Sequence, residues 1–263
     1  GSSLPIIVTF SRSLARFLFF TNGPAMKKFS ADWIYTLQGD PLPQGVIVTD
    51  DHGKILHLGQ RSDFDTSEIA IFPGLITPGF INAHCHLELS HMKNKVATGT
   101  GLLPFLRNVV AFRDIPLEEI HAAIQAGDQE MQREGIVAVG DICNKLDTAA
   151  CKGQSPIRYY SFVEMFDFMQ DNLAEATYQQ YRAVYDGQST DAGNRKSCVP
   201  HAPYTVSDQL YALINATNQP GDTVSIHNQE TPAEDELFAS KTGGFLDFYQ
   251  QFGFSLDHIP PTG

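Results

Sequence analysis

The chain has 263 residues, 42% of them apolar, and its 30 acidic side chains outweigh 18 basic ones to leave a net charge of −12 at pH 7. That length holds one large domain or two small ones around a real core, and 18 Phe, 9 Tyr and one Trp are too many buried-type side chains for a disordered chain. The acidic balance, with no Lys/Arg cluster, argues against nucleic acid and anionic membrane surfaces as partners.

Residues 1–25 contain an apolar run from Leu4 to Phe20, interrupted by Ser11, Arg12, Ser13 and Arg16. It is too broken to span a bilayer, and Thr21-Asn22-Gly23-Pro24 offers no small-residue cleavage site. The segment reads as a tag or upstream extension, with Met26 as the natural start and the cytoplasm as the default location. Cys85, Cys143, Cys151 and Cys198 are scattered without a CxxC pair, as expected in a reducing compartment rather than in a disulfide scaffold.

From Lys28 to Ile76 the residues come in short strand-like pieces. Residues 31–37 are predicted as a strand, followed by a turn around Gly39-Asp40-Pro41. Residues 45–49 and 54–59 flank Asp50-Asp51-His52-Gly53, the pattern of a hairpin. Together they predict a small antiparallel sheet that needs something to pack on. After Pro78 the rhythm becomes apolar strand, polar loop, helix. Strands are expected at residues 80–86, 136–142, 157–165, 197–201 and 224–227. Helices are expected at 102–112, 117–133, 172–185 and 207–216, with two weaker ones at 234–240 and 245–252. Apolar strands alternating with amphipathic helices predict a parallel sheet covered by helices. An eight-unit (β/α)₈ barrel takes about 250 residues, and five strands are too few, so either the sheet is open or the barrel is partial.

Three motifs carry chemistry. In Pro78-Gly79-Phe80-Ile81-Asn82-Ala83-His84-Cys85-His86-Leu87-Glu88, residues two apart on a strand share a face, so His84 and His86 converge while Cys85 points away. Two imidazoles at a strand end make half of a zinc-type site; the bland alternative is a chance pairing of histidines. In Ile226-His227-Asn228-Gln229-Glu230, the acid three residues after a strand-end histidine suits a proton shuttle, or simply a helix N-terminal Glu favoured by the macrodipole. In Pro200-His201-Ala202-Pro203-Tyr204-Thr205-Val206-Ser207, two prolines aim the imidazole and Ser207 is placed to cap the helix starting at Asp208; taken alone, a loop histidine held by prolines is more often structural than functional.

In this order, the three segments PGFINAHCHLE, PHAPYTVS and IHNQE resemble the amidohydrolase superfamily, and within it the purine and nucleoside amine deaminases with their chlorohydrolase relatives. The resemblance covers Met26 to about Glu236. It implies an α/β fold, a partial (β/α)₈ TIM barrel of about five of eight strands. Residues 26–77 would form the N-terminal part of a β-sandwich and residues 78–263 the first part of the metal-dependent hydrolase barrel. It further implies that His84, His86 and His227 hold one divalent metal ion, Zn foremost with Fe or Mn as alternatives, and that Glu230 is the general acid/base. His201 would contact substrate. Glu164, at the end of the third strand, and Arg107, on the first helix, are further candidates for substrate binding, Arg107 having a solvated helix face as its alternative. Glu88 and His91 are loop polar residues that can line the pocket, and Cys143 reads as a buried apolar side chain.

The expected reaction is hydrolytic deamination of an amino-purine or purine nucleoside by a metal-activated water. Hydrolysis of an amide, a cyclic imide or a chloro group on the same fold is the alternative. Enzymes of this kind need a sixth-strand histidine and an eighth-strand aspartate. The chain stops before either, and neither Asp257 nor His258 is promoted to a ligand. It therefore looks like a truncated amidohydrolase, or a catalytically incomplete fragment, expected to form a homo-oligomer and to take a small-molecule substrate.

Overall fold

The computed structural model describes residues 26–113 and 115–260. The expected tag or extension at 1–25 lies outside them. The chain divides into two compact units: the described residues up to Asn82 together with Glu130–Ala138, and Ala83–Gln129 together with Val139 onward.

The first unit is strand-rich. Its larger sheet contains β1 (Lys27–Ser30), β4 (Gly45–Thr49), β5 (Ile55–Gln60) and β6 (Ile69–Ile71) in the order β5-β4-β1-β6. A second sheet, β3-β2-β7, joins β2 (Trp33–Ile34), β3 (Leu42–Pro43) and β7 (Leu75–Ile76). β4 explains why the two sheets belong together. Its side chains alternate, Val46 and Val48 packing with Ile69 and Phe64, and Ile47 packing with Ala31, Ile34 and Ile76. The predicted hairpin is present: Asp50 Oδ1 accepts from the His52 and Lys54 amides, both at 2.9 Å, and Gly53 supplies φ +80°.

Two expectations are corrected here. The sheet is not purely antiparallel, because β1 pairs parallel with β6 and β2 parallel with β7. The strand expected over 31–37 shrinks to Trp33–Ile34. Leu37 sits at φ +61°, a left-handed conformation that cannot continue a strand.

The second unit carries the α/β alternation. β8 (Phe80–Cys85), β9 (Ile136–Cys143), β10 (Arg158–Met165) and β11 (Arg195–Pro200) form a parallel sheet in the order β11-β10-β9-β8, with the break between the two units falling inside β8 and β9. β10 and β11 run in register from Tyr160 opposite Arg195 to Met165 opposite Pro200. The helices are α1 (Leu102–Phe112), α2 (Leu117–Arg133), α3 (Ala149–Gln154), α4 (Ala174–Gly187), α5 (Asp208–Thr217), α6 (Pro232–Ser240) and α7 (Gly244–Gln251). Of these, α3 is not anticipated by the sequence pattern. Period two sorts the strand residues by face. Ile142, Phe162 and Val199 cluster on one side, while Met165 and Cys198 pack on the other with Ala174 and Tyr181 of α4 and Leu210 and Ile214 of α5. Each fully buried Leu or Ile in such a cluster contributes roughly 1.5–3 kcal/mol.

Gly140 is required by close approach. A Cβ there would lie 2.6 Å from the Ala83 carbonyl oxygen and 2.9 Å from the Phe162 ring, so β9 takes its place beside β8 only without a side chain at this position.

The fifth strand, expected at 224–227, does not form. The segment is tied to β11's end by one backbone bond, His227 N–H to the His201 carbonyl at 2.9 Å, and the Ser197 hydroxyl donates to the Thr223 carbonyl at 2.7 Å. With the Thr223 amide donating to the Tyr160 hydroxyl at 2.9 Å, these contacts are mostly to side chains and do not make a ladder, and Val224 and Ile226 stay exposed.

Candidate functional site

The site lies in the second unit, at the carboxyl ends of its strands, where a barrel-type sheet presents side chains free of the ladder. β8 delivers His84 and, just past its end, His86. β9 is followed by Asn144, β10 ends near Glu164, and β11 is followed by His201. The extended segment after α5 adds His227.

The rings of His84, His86 and His227 converge, with centroid separations of 5.1, 5.0 and 5.3 Å, and one ligand atom from each lies within 4.8 Å of the others. His227 Nε2 is buried without a hydrogen-bond partner. Its neighbour Glu164 Oε2 is 3.9 Å away, beyond hydrogen-bond reach, and a buried nitrogen left so costs free energy unless something engages it. That donor set of three nitrogens suits a borderline-soft divalent ion. Burial and the neighbouring His201 push the His227 imidazole down to about 4, which keeps it in the neutral form that a metal needs. His86 shifts in the same direction, by burial.

Beside the three rings runs a hydrogen-bonded chain of buried polar groups. Glu164 Oε2 is 2.6 Å from His201 Nδ1, and its Oε1 accepts from Asn144 Nδ2 at 2.8 Å. Burial alone would raise the Glu164 carboxyl, but His201, hydrogen-bonded to it, and the His86 and His227 rings bring it down to about 2. Reciprocally, burial lowers and Glu164 more than restores the His201 imidazole, which ends above its ordinary value. Asn144 continues the chain. Its backbone N–H donates to Glu88 Oε2 at 3.0 Å and its side-chain oxygen accepts from Arg113, which also pairs with Glu88 Oε1 at 3.0 Å. Burial pushes the Glu88 carboxyl up to about 7 despite Arg113. Glu164, His201 and His227 also gather within 4.8 Å, although the Glu164–His201 hydrogen bond already engages two of the three.

Glu230 stands at the rim, its Oε1 3.7 Å from His227 Nδ1. Two features bring it there. Gln229 adopts φ +55°, a left-handed step that reverses the chain after His227, and the Tyr204 hydroxyl donates to Glu230 Oε2 at 2.7 Å. Tyr204 is itself fixed in the core of Ala202, Leu237, Phe245 and Tyr249. The predicted Ser207 cap is present, its hydroxyl accepting from the Leu210 amide at 3.2 Å.

Of the residues singled out in the sequence, the structure thus gathers His84, His86, His201, His227, Glu164 and Glu230. It does not gather Arg107. That guanidinium donates to Gln251 at 3.1 Å and lies 6.0 Å over the Phe248 ring, both on α7, and none of its described contacts is with the imidazoles. Its exposed side chain thus leans on α7. Asn144 and Tyr204 were missed. Position could have found the first, since it directly follows a strand's carboxyl end, and the PHAPY run contains the second.

Sequence comparison matches residues 75–257 to the Amidohydrolase family. An adenosine deaminase of Helicobacter pylori is 27% identical over 183 residues, 68% of this chain and 43% of that protein. Among solved structures, the aminofutalosine deaminase of Helicobacter pylori in complex with methylthio-coformycin superposes with a TM-score of 0.73 at 23% identity, covering 90% of this chain and 58% of that one. An adenosine deaminase from Xanthomonas campestris with bound zinc gives a TM-score of 0.62 at 21% identity, covering 86% and 54%. The fold, shared with these two structures, and the match over most of the chain define the class: the chain belongs to the amidohydrolase family. It spans about half the length of the relatives it matches. Among the described residues no helix is long and apolar enough to cross a membrane.

Proposed function

We propose that this chain carries the metal-binding part of a deaminase acting on purine nucleosides that bear an exocyclic amine, with residues 26–77 as part of a β-sandwich and residues 78–263 as part of the barrel. The observation that carries the reading is the convergence of the His84, His86 and His227 rings, His227 Nε2 being buried without a hydrogen bond, with the Glu230 carboxylate beside it. His84, His86 and His227 would hold one divalent ion, and the zinc in the Xanthomonas campestris structure favours Zn2+. Such an ion supplies water activated at neutral pH.

The protein's own residues do the rest. Glu230, steadied by Tyr204, holds and returns a proton at a substrate ring nitrogen. His201, whose Nδ1 is engaged by Glu164, has Nε2 left to meet the substrate's hydrogen-bonding edge. The deaminase names of the relatives support ammonia as the leaving group. In the same reading copies of the chain associate, because β8 has a neighbouring strand on one side only among the described strands, and such an edge invites pairing.

The test is zinc content by mass spectrometry after incubation with Zn2+ and dialysis, together with ammonia release from adenosine, methylthioadenosine and guanine. Both are run on this chain and on any longer product of the same gene. One zinc per chain, lost in His84→Ala and His227→Ala, is expected. A longer product that releases no ammonia from any of the three ends the deaminase reading and leaves the fold untouched.

A further inference from the structure

The histidine cluster leaves one buried ion pair without a role. Lys152 of α3 and Asp141 of β9 are 3% and 0% exposed, and Lys152 Nζ lies 2.6 Å from Asp141 Oδ2. Lys152 also donates to the Ser161 hydroxyl at 2.9 Å and reaches Cys143 Sγ at 3.7 Å. Asp141 and Cys143 flank Ile142, so by alternation they point away from the face that Ile142 shares with Phe162 and Val199. A pair so deeply desolvated is a poor stabiliser, and well-packed apolar residues would often serve as well.

The second oxygen gives the pair a purpose. Asp141 Oδ1 accepts from the Leu87 backbone N–H at 2.8 Å. Leu87 directly follows His86 and opens the 3-10 turn Leu87–Met92, whose capping residue, His86 itself, makes no side-chain capping bond. The turn's first amide would otherwise be a buried donor without an acceptor. Asp141 supplies that acceptor from another strand, and Lys152 pins the carboxylate in place from behind.

We infer that Asp141, locked by Lys152, is a positioning residue that fixes the backbone at His86–Leu87 and so aims the His86 imidazole at His84 and His227. The inference rests on the metal reading above. Metal-binding histidines are commonly oriented by a partner on their second ring nitrogen; here the orienting contact acts on the ligand's backbone.

Two double variants isolate the contact. Asp141→Asn with Lys152→Met removes both charges and keeps an acceptor oxygen for Leu87. Asp141→Leu with Lys152→Met removes both charges and the acceptor. Zinc dissociation constants are read by competition with a chromophoric chelator, amide exchange at Leu87 by NMR, and folding by urea denaturation. The asparagine pair should bind zinc within about threefold of the parent, and the leucine pair about 10–100-fold more weakly. Leu87 should exchange faster only in the leucine pair, which should still unfold in one cooperative urea transition like the asparagine pair. Where the leucine pair does not fold, Asp141→Ala with Lys152→Met makes the same comparison. Equal zinc affinity in the two pairs, or equal protection of Leu87, overturns the inference. If the parent binds no zinc, or binding survives loss of His84 and His227, the metal reading itself fails and this inference falls with it. Tight zinc binding indifferent to the Asp141 variants overturns this inference alone.

Discussion

Glu164→Gln is the substitution that tests the buried network most directly. The glutamine is isosteric, so packing is kept while the charge that organises His201 is removed. The native carboxyl is held at about 2 against an ordinary 4.5. That difference of about 2.5 pH units, at 1.36 kcal/mol each, is worth about 3 kcal/mol of folding free energy. The sign is that of a depressed acid. The stabilisation develops above about pH 4.5, where the unfolded carboxyl is ionised, is lost as pH falls through about 2, and fades again as pH rises through the raised pKa of His201, its charged partner. The raised His201 imidazole is the same interaction seen from its other partner, so it adds nothing further. Urea denaturation of metal-free protein, followed by far-UV circular dichroism from pH 7 to pH 2, reads the effect. With a slope of about 3 kcal/mol per molar urea, the variant's midpoint should fall by about 1 M near pH 5, where the Glu164 carboxylate faces a protonated His201. The gap between parent and variant should close as pH approaches 2. A variant as stable as the parent at about pH 5, or a gap that does not change with pH, refutes the reasoning.

If the proposed deamination holds, Glu230→Gln should keep zinc and, in whichever product of the gene releases ammonia, lower that turnover by about 10²–10⁴-fold, the usual contribution of a positioned acid/base. Tyr204→Phe removes one hydrogen bond to that carboxylate, worth about 1 kcal/mol, and should slow the same reaction by a factor of about five. Gly140→Ala drives a methyl group onto the Ala83 carbonyl, a backbone atom with little room to move. It should therefore cost about 3 kcal/mol, the upper end for overpacking, in urea denaturation. Arg107→Ala should leave zinc content unchanged, because its described contacts are with α7.

The sequence alone determined the alternation of strand and helix, the hairpin at Asp50–Gly53, the Ser207 cap and the convergence of His84 with His86. Each of these depends on residues a few positions apart, where the periods of strand and helix or the chemistry of a turn settle the outcome. Tertiary structure decided what depends on distant partners. Residues 224–227 have strand composition, yet they gain a single backbone bond to the residue after β11 and form no ladder. Arg107 has the charge for a substrate contact, yet α7 claims its guanidinium. Asn144 and Asp141 have nothing unusual about them in sequence. Their places between Glu88 and Glu164, and between Lys152 and the Leu87 amide, exist only once separate strands are brought side by side. Local patterns fix which side chains share a face; only the packing of strands against one another fixes which of those faces meet.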